Sequence, residues 1–293
     1  MLKRERLSAI TKLVRDKGIV SNAEIAAQLH VSDMTIRRDL DELEQDKKLI
    51  RIHGGAQSPD YTIDHELSHK EKATVQVDQK SAIARYAAGL IKAHETVFIG
   101  PGTTMELLAA AIQEEDVRVV TNSLPAFNNL SPSLRQKALL IGGEYRENTG
   151  CFIGVLALSN LSNLNFSRAF ISCNGVLGED ITTSSMEEGQ LQAAALKNAK
   201  FRCLVIDAHK FNREDFYTYY RLYNIDQLIT DDTLSPDILE PYEDLVQIVQ
   251  VTGSGSIQIR RQTKDKTTGK AVIAHKSFQT SHNPAFGSGG KTK

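Results

Sequence analysis

The stretch from Ser21 to Gly55 constrains this chain most, because it holds two short amphipathic helices separated by a tight turn. Ser21 followed by Glu24 is a capping box, in which the serine oxygen can accept a hydrogen bond from a first-turn amide. The helical period breaks at residues 30–32, where Ser32 can cap a second helix. The spacing predicts a helix-turn-helix.

The start of the second helix is exposed and basic. Ile36, Leu40 and Leu43 recur at helical spacing, so we expect them to face inward. A recognition helix enters the major groove with its N-terminal residues first, where arginine can bond guanine or phosphate. The candidate DNA contacts in this helix are Ser32, Met34, Thr35, Arg37 and Arg38.

A short β wing is predicted after the second helix. Residues 49–53 alternate like a strand, and the glycine pair 54–55 permits a sharp turn. Arg51 and His53 are then placed to contact the DNA backbone or minor groove. The alternative is a small helical interaction module with an ordinary solvated face. Capping, turn and wing occur together, which favours DNA binding.

Charge is unevenly distributed along the 293 residues. The net charge is −1 for the whole chain, +2 for residues 1–58 and +7 for residues 253–293, which leaves −10 between them. The isoelectric point therefore does not indicate a DNA-binding protein, and that prediction depends on the positions of the arginines.

Composition favours a cytoplasmic protein without a membrane segment. No stretch approaches the roughly 20 apolar residues that span a bilayer. Cys151, Cys173 and Cys203 are odd in number and have apolar neighbours, so we expect buried thiols. The sequence predicts no metal site, no cofactor and no catalytic residue.

Four segments are predicted: a DNA-binding domain at 1–57, a linker at 58–78, an effector-binding domain at 79–252 and a disordered tail at 253–293. The tail is rich in Gly, Ser, Thr and Lys. A first helix is expected at 3–17. From residue 79, helices alternate with apolar strands, which predicts a mainly parallel α/β sheet. The strands are expected at 96–99, 117–121, 138–143, 169–173, 203–207, 227–231 and 245–249.

Polar and glycine residues follow several of the predicted strands. Ligands of parallel sheets collect outside the strand C-termini, and a helix start after a glycine turn can bind an anion. A small polar ligand is therefore expected, although any single glycine turn can be purely structural. The candidate contacts are Gly100, Gly102, Thr103, Thr104, Asn122, Gly143, Asn174, Asp207 and Lys210.

Several motifs carry a family resemblance. VSDMTIRRDL and IHGGA resemble the N-terminal winged helix of DeoR-type transcriptional repressors. GPGTTMELLA, VVTNSLP, LIGGEYRENTGCFIG and IDAHKF resemble the effector domain of that family, which is related in fold to ribose-5-phosphate isomerase. The resemblance covers about residues 1–250. It implies a phosphorylated sugar as effector, with Lys72, Lys80, Asp207 and Lys210 taking part in the inducer response.

Three functional hypotheses follow. The main one is a repressor of a lactose or galactose operon that binds operator DNA as a homo-oligomer. Tagatose 6-phosphate would release this repressor from the DNA. The second keeps the repressor and changes the inducer to fructose 1-phosphate or another phosphosugar. The third is a sugar-phosphate isomerase with a DNA-binding appendage, using Glu187, Glu188 or Asp207 as base.

Overall fold

The N-terminal domain is a winged helix. The structure is a computed structural model that describes residues 3–17, 19–52, 55–58, 69–260, 262–264, 271–273 and 276–278. The strands form an antiparallel sheet in the order β1-β3-β2, so the predicted wing gains β1 as an additional strand. The elements are α1 (Lys3–Lys17), β1 (Ile19–Ser21), α2 (Asn22–Leu29), α3 (Asp33–Gln45), β2 (Ile50–Ile52) and β3 (Gly55–Gln57).

The predicted caps shape the helix-turn-helix. Ser21 Oγ accepts from Glu24 N at 3.2 Å, and Ser32 Oγ accepts from Thr35 N at 3.3 Å. His30 adopts the left-handed conformation with φ 53°, which ends α2 and turns the chain towards α3. The predicted inward face of α3 is buried in the domain core. The helix-turn-helix prediction is confirmed.

The C-terminal domain alternates helices with strands. Its helices are α4 (His69–Thr74), α5 (Val77–Ala88), α6 (Thr103–Ala111), α7 (Leu124–Asn129), α8 (Pro132–Lys137), α9 (Gly154–Ser162), α10 (Met186–Lys197) and α11 (Pro236–Glu243). Its strands are β4 (Thr96–Ile99), β5 (Arg118–Thr121), β6 (Leu139–Leu140), β7 (Glu144–Arg146), β8 (Cys151–Ile153), β9 (Phe166–Ile171), β10 (Gly175–Leu177), β11 (Asp180–Thr183), β12 (Ala199–Val205), β13 (Tyr217–Arg221), β14 (Gln227–Asp231), β15 (Gln247–Val251), β16 (Ile257–Arg260), β17 (Gln262–Lys264), β18 (Ala271–Ile273) and β19 (Lys276–Phe278).

One nine-stranded sheet organises this domain. Its order is β19-β16-β15-β14-β12-β9-β4-β5-β6, and the pairs from β15 to β6 are parallel. The mainly parallel α/β prediction is confirmed. From β4 the chain adds β5 and β6 on one side and then β9 on the other, so the strand order reverses between β4 and β9. Such a reversal opens a crevice at the strand C-termini.

Two hydrophobic clusters cover the faces of the sheet. One includes Phe98, Phe166 and Leu204, and the other includes Ile83, Val97 and Met105. The cysteines are free and buried, as predicted. Among the described residues, no helix is long and apolar enough to cross a bilayer.

The structure differs from the sequence prediction at several strands. The predicted strand 138–143 is reduced to β6, because Glu144 and the residues after it turn back into the β7–β8 hairpin. Neither this hairpin nor the sheet β10-β11-β13 was predicted. Part of the predicted disordered tail forms strands, and residues 279–293 of that tail lie outside the described residues. β16 pairs antiparallel with β15, and β19 pairs with β16.

Candidate functional site

A polar pocket lies at the C-terminal ends of β4, β9 and β12, beside the point where the strand order reverses. Helices α4, α5 and α10 complete its walls. This placement follows the rule for parallel sheets, in which loops after adjacent strands converge at one edge. The polar pocket is lined by His69, Lys72, Lys80, Pro101, Gly102, Thr103, Thr104, Thr149, Ser172, Cys173, Asn174, Thr183, Glu188, Gln192, Asp207 and Lys210.

Three lysines converge on the polar pocket. Burial lowers the pKa of Lys80 and lowers the pKa of Lys210 to about 8, and the charge of Lys72 lowers both further. The Asp207 carboxylate opposes both shifts. A bound anion would stabilise the charged lysines, since opposite charge favours the ionised form. The cluster therefore suits a phosphate group.

The start of α6 adds a second feature that suits an anion. Gly102 is the N-cap with φ 124°, a left-handed conformation that favours glycine, and it brings no capping side chain. First-turn amides and the positive end of the helix dipole attract anions. Thr103 and Thr104 line the pocket at this end.

Polar contacts fix the pocket residues in place. Lys72 Nζ donates to Asn174 Oδ1 at 3.3 Å, and Asn174 Nδ2 donates to Asp215 Oδ2 at 2.7 Å. Lys80 Nζ donates to the carbonyl of Lys72 at 2.6 Å, which ties α4 to α5. Asp207 Oδ1 accepts from His209 N at 3.0 Å and holds the turn that carries Lys210.

Another part of the pocket wall comes from α10. Ser185 Oγ caps this helix by accepting from Glu188 N at 3.3 Å. The Glu188 side chain does not complete a capping box but contacts Arg146, Thr149 and Cys151. Burial raises the pKa of the Cys151 thiol, and Glu188 raises it further, so the thiol stays protonated and can donate.

Three of the predicted ligand residues do not line the polar pocket. Gly100 continues the sheet, donating from its amide to the Phe170 carbonyl at 2.9 Å. Asn122 Nδ2 donates to the Phe152 carbonyl at 3.0 Å. Gly143 lies so close to the Ile153 carbonyl that a Cβ would be 2.4 Å away. The structure gathers the other predicted ligand residues in the pocket: Lys72, Lys80, Gly102, Thr103, Thr104, Asn174, Asp207 and Lys210.

Sequence reasoning did not assign several lining residues to the ligand site. Ser172 and Cys173 directly precede Asn174 at the end of the same strand. Their position could therefore have predicted that they line the pocket. Thr149 and Thr183 come from short strands and turns that have no clear sequence period. Gln192 follows Glu188 by four residues on α10, a spacing that places both on one helix face.

The candidate isomerase bases fall in different places. Glu188 and Asp207 line the polar pocket. Glu187 does not, and its Oε2 accepts from Ser185 Oγ at 2.9 Å. Among the described residues, no group of three or more His, Cys, Asp or Glu side chains could hold a metal ion.

The first two turns of α3 present the predicted DNA-contact side chains. Met34 is 65% exposed, and Arg37 and Arg38 are also exposed. Arg37 Nε donates to Asp33 Oδ2 at 2.7 Å along the helix surface. Ser32 and Thr35 bond each other through their hydroxyls at 2.9 Å. The basic start of α3 is therefore accessible to solvent, and Arg37 also lines a cavity shared with residues of the 208–213 segment of the C-terminal domain.

The wing arginine packs on the recognition helix. Arg51 NH1 donates to the Arg37 carbonyl at 2.9 Å and pairs with Asp41 Oδ1 at 3.0 Å. In this arrangement Arg51 braces the wing against α3, instead of extending away from it. His53, the other predicted wing contact, lies outside the described residues.

Two protein families match this chain. The DeoR-like helix-turn-helix domain matches residues 6–62, and the DeoR C terminal sensor domain matches residues 75–232. Among solved structures, ribose 5-phosphate isomerase A of Methanocaldococcus jannaschii is 17% identical, covering 46% of this chain and 55% of that chain with a TM-score of 0.33.

Curated relatives match over nearly their whole length. The lactose phosphotransferase system repressor of Streptococcus mutans is 44% identical over 233 residues, which are 79% of this chain and 93% of that protein. Its namesake from Lactococcus lactis is 42% identical over 253 residues, which are 85% of this chain and 99% of that protein. With a DNA-binding helix-turn-helix and a sensor domain both matched, the chain belongs to the DeoR family of transcriptional repressors.

Proposed function

We propose that this protein represses a sugar-utilisation operon and that a phosphorylated sugar, bound in the polar pocket, releases it from operator DNA. One observation carries the proposal: Lys72, Lys80 and Lys210 meet the start of α6 in a single pocket. Lysine charges and free helix amides together match a phosphate group. Most of the remaining pocket side chains are hydroxyl, amide and carboxylate groups, which suit a polyol.

Tagatose 6-phosphate is the inducer we favour. The relatives from Streptococcus mutans and Lactococcus lactis are both named lactose phosphotransferase system repressor. The resemblance of the effector domain implies tagatose 6-phosphate, with fructose 1-phosphate as the alternative. Both carry a phosphate and several hydroxyls, so the lysine cluster alone does not separate them.

Release from DNA requires two arrangements of the protein. A ligand shifts an equilibrium only if it binds one arrangement more tightly than the other. Lys72 lies on α4, between the N-terminal domain and the sheet, and its side chain bonds Asn174 at the end of β9. A ligand that contacts Lys72 therefore favours one position of the segment that leads to the N-terminal domain.

We also propose a homo-oligomer built through the C-terminal domain. Helix-turn-helix proteins read repeated half-sites as dimers, so two N-terminal domains are needed. On α9, Val155 is 81% exposed and Leu156 is 72% exposed. Tyr145 and Leu139, also exposed, belong to the neighbouring hairpin and to β6 at the sheet edge. A second copy would remove this apolar surface from water.

Fluorescence anisotropy tests the proposed function. The purified chain is titrated onto labelled DNA from upstream of neighbouring sugar-metabolism genes, and phosphosugars are then added. We expect tight binding and release by tagatose 6-phosphate. Release by fructose 1-phosphate alone would identify that sugar as the inducer instead. The absence of specific DNA binding would overturn the repressor proposal.

One variant tests the inducer site in this assay. Lys210→Ala should bind the same DNA but resist release, because the pocket loses a phosphate ligand. A release curve equal to wild type would remove Lys210 from the inducer site. Incubation with tagatose 6-phosphate and ribose 5-phosphate, followed by product analysis, tests the isomerase alternative, and turnover would contradict the proposal of a regulator without catalysis.

A further inference from the structure

We propose that Glu188 and Gln192, the α10 pair, bind the hydroxyl groups of the phosphosugar and determine which phosphosugar acts as inducer. This inference rests on the proposed function, since it concerns the other end of the same ligand. The lysines and the start of α6 are the proposed phosphate site, and the α10 pair lines the same pocket. Isomeric phosphosugars differ from one another in the positions of their hydroxyls.

The Glu188 carboxylate is fixed through one oxygen. Its Oε1 accepts from Arg146 NH1 at 3.0 Å and from Cys151 Sγ at 3.2 Å, and it also accepts from Thr149 Oγ1. Among the described residues, none donates to Oε2. Glu188 is only 4% exposed, and it lines the pocket. A hydroxyl donated by a ligand would satisfy the second oxygen.

Gln192 offers the complementary group one helical turn later. The Tyr219 hydroxyl shares its single proton between the Ser172 carbonyl at 3.1 Å and Gln192 Oε1 at 3.5 Å. Burial raises the pKa of Tyr219 well above its usual value, so the phenol keeps its proton. Within the described chain no acceptor bonds Gln192 Nε2, although the residue is only 3% exposed.

The α10 pair therefore combines an acceptor and a donor. A sugar hydroxyl both donates and accepts, so adjacent acceptor and donor groups can satisfy one hydroxyl or two neighbouring ones. An epimer that moves a hydroxyl leaves a buried polar group without a partner. Sites that hydrogen-bond a substrate hydroxyl reject analogues that lack it much more strongly than apolar sites do.

Close packing holds the α10 pair in place against β13. Gly189 lies between the two residues in sequence, and a Cβ there would be 2.8 Å from Tyr217 Cδ1 and Tyr219 Cβ. The helix backbone at Gly189 thus packs directly against the tyrosine side chains of β13. A wall that cannot retreat selects ligands by the positions of their groups.

Isothermal titration calorimetry on the full chain tests the inference. The probes are tagatose 6-phosphate, its C4 epimer fructose 6-phosphate, and inorganic phosphate, which lacks the hydroxyls. Glu188→Gln keeps the side-chain shape and replaces the pocket-facing oxygen with a donor. We expect tagatose 6-phosphate to bind about 10- to 100-fold more weakly and phosphate to change less than about twofold. Gln192→Leu should give the same pattern.

Glu187→Gln is the matched control, because the neighbouring carboxylate lies outside the pocket, and it should bind all probes as wild type does. Lys210→Ala should weaken phosphate and phosphosugar together. If Glu188→Gln and Gln192→Leu leave the ratio between the two epimers unchanged, the inference is wrong while the proposed function stands. Equal losses for phosphate and phosphosugar would show only a structural role and also overturn it. If wild type binds neither phosphosugar nor fructose 1-phosphate, the proposed function itself fails.

Discussion

The Arg6 guanidinium binds the Asp39 carboxylate through two hydrogen bonds, Nε to Oδ2 at 2.5 Å and NH2 to Oδ1 at 3.1 Å. This pair fastens α1 to the buried side of α3, and the Asp39 side chain is only 3% exposed. Arg6→Ala leaves the carboxylate buried and unpaired, which we expect to cost about 3 kcal/mol. Hydrogen exchange of the α1 and α3 amides would measure the loss.

Arg37→Ala is the control for this first prediction. The Arg37–Asp33 pair joins residues on the same helix, and both side chains are more than half exposed. Exposed pairs of this kind contribute roughly 0.5 kcal/mol or less. Equal exchange rates in the Arg6→Ala and Arg37→Ala variants would contradict a special role for the buried pair.

Arg38→Ala should weaken operator binding without changing inducer binding. Arg38 is exposed on the part of α3 that would enter the major groove. Losing one arginine contact to a base should lower DNA affinity about 10- to 100-fold. Anisotropy measures the DNA affinity, and calorimetry measures the inducer. Wild-type DNA affinity would remove Arg38 from the contact surface.

Inducer affinity should fall above pH 8. Burial lowers the pKa of Lys210 to about 8, and a bound phosphate would raise it again. Below pH 8 the ammonium is charged in both states, so affinity does not change on its account. Above pH 8 the free protein has lost the proton and binding must recover it, so Kd should rise about tenfold per pH unit.

Calorimetry between pH 7 and pH 9.5 checks this dependence. The range lies above the second phosphate pKa of about 6, so the ligand keeps its charge throughout. Lys210→Arg provides the control, because arginine does not titrate there. A Kd for wild type that stays constant across this range would contradict a phosphate contact by Lys210.

Arg260→Ala should destabilise the C-terminal domain. In β16, Arg260 Nε donates to Gln250 Oε1 at 2.6 Å and NH1 donates to Glu243 Oε1 at 3.3 Å. Both partners are buried, so removing the guanidinium leaves a buried carboxylate unpaired at a cost of about 3 kcal/mol. Denaturant unfolding followed by circular dichroism gives the change. The exposed Arg118→Ala variant should stay within about 0.5 kcal/mol of wild type.

Leu156→Glu should lower the oligomeric state. The substitution places a charge in the apolar surface formed by α9 and the neighbouring hairpin, where a second copy would pack. Analytical ultracentrifugation should show a smaller species at the same concentration. Gln113→Glu adds the same charge at an exposed polar position outside α9 and the hairpin, which makes it the comparison for the effect of charge alone. An unchanged mass for Leu156→Glu would place the interface elsewhere.

Local signals predicted most of the fold. Ser21 and Ser32 cap helices where their side-chain oxygens can reach free amides, and such caps act within three residues. Buried parallel strands carry short apolar runs, residues 97–99 in β4 and residues 228–229 in β14, and the sequence predicted both strands with the observed bounds. The alternation of helix and strand predicted that these strands pair in parallel.

The missed elements depend on distant partners. The strands of the β10-β11-β13 sheet are three to five residues long, and β13 pairs with a strand more than 30 residues earlier in the chain. β16 was assigned to the tail because its surroundings are rich in Gly, Ser and Thr, but Val251 and its neighbours offered a free strand edge. The α10 pair lacked a ligand signal for the same reason, since only tertiary packing turns Glu188 and Gln192 towards the lysines.

The hydrogen bond between α4 and α5 limits the distance between the winged helix and the sheet. Ten residues, 59–68, separate Ser58 from His69, so the chain between them spans at most about 35 Å. While Lys80 Nζ holds the Lys72 carbonyl at 2.6 Å, that length limits how far the winged helix can stand from the sheet. If α4 and the two residues after it detached from the C-terminal domain, this maximum distance would increase by roughly 25 Å. DNA half-sites are about 34 Å apart. Whether two winged helices can reach two half-sites at once therefore depends on whether α4 stays bound at the pocket.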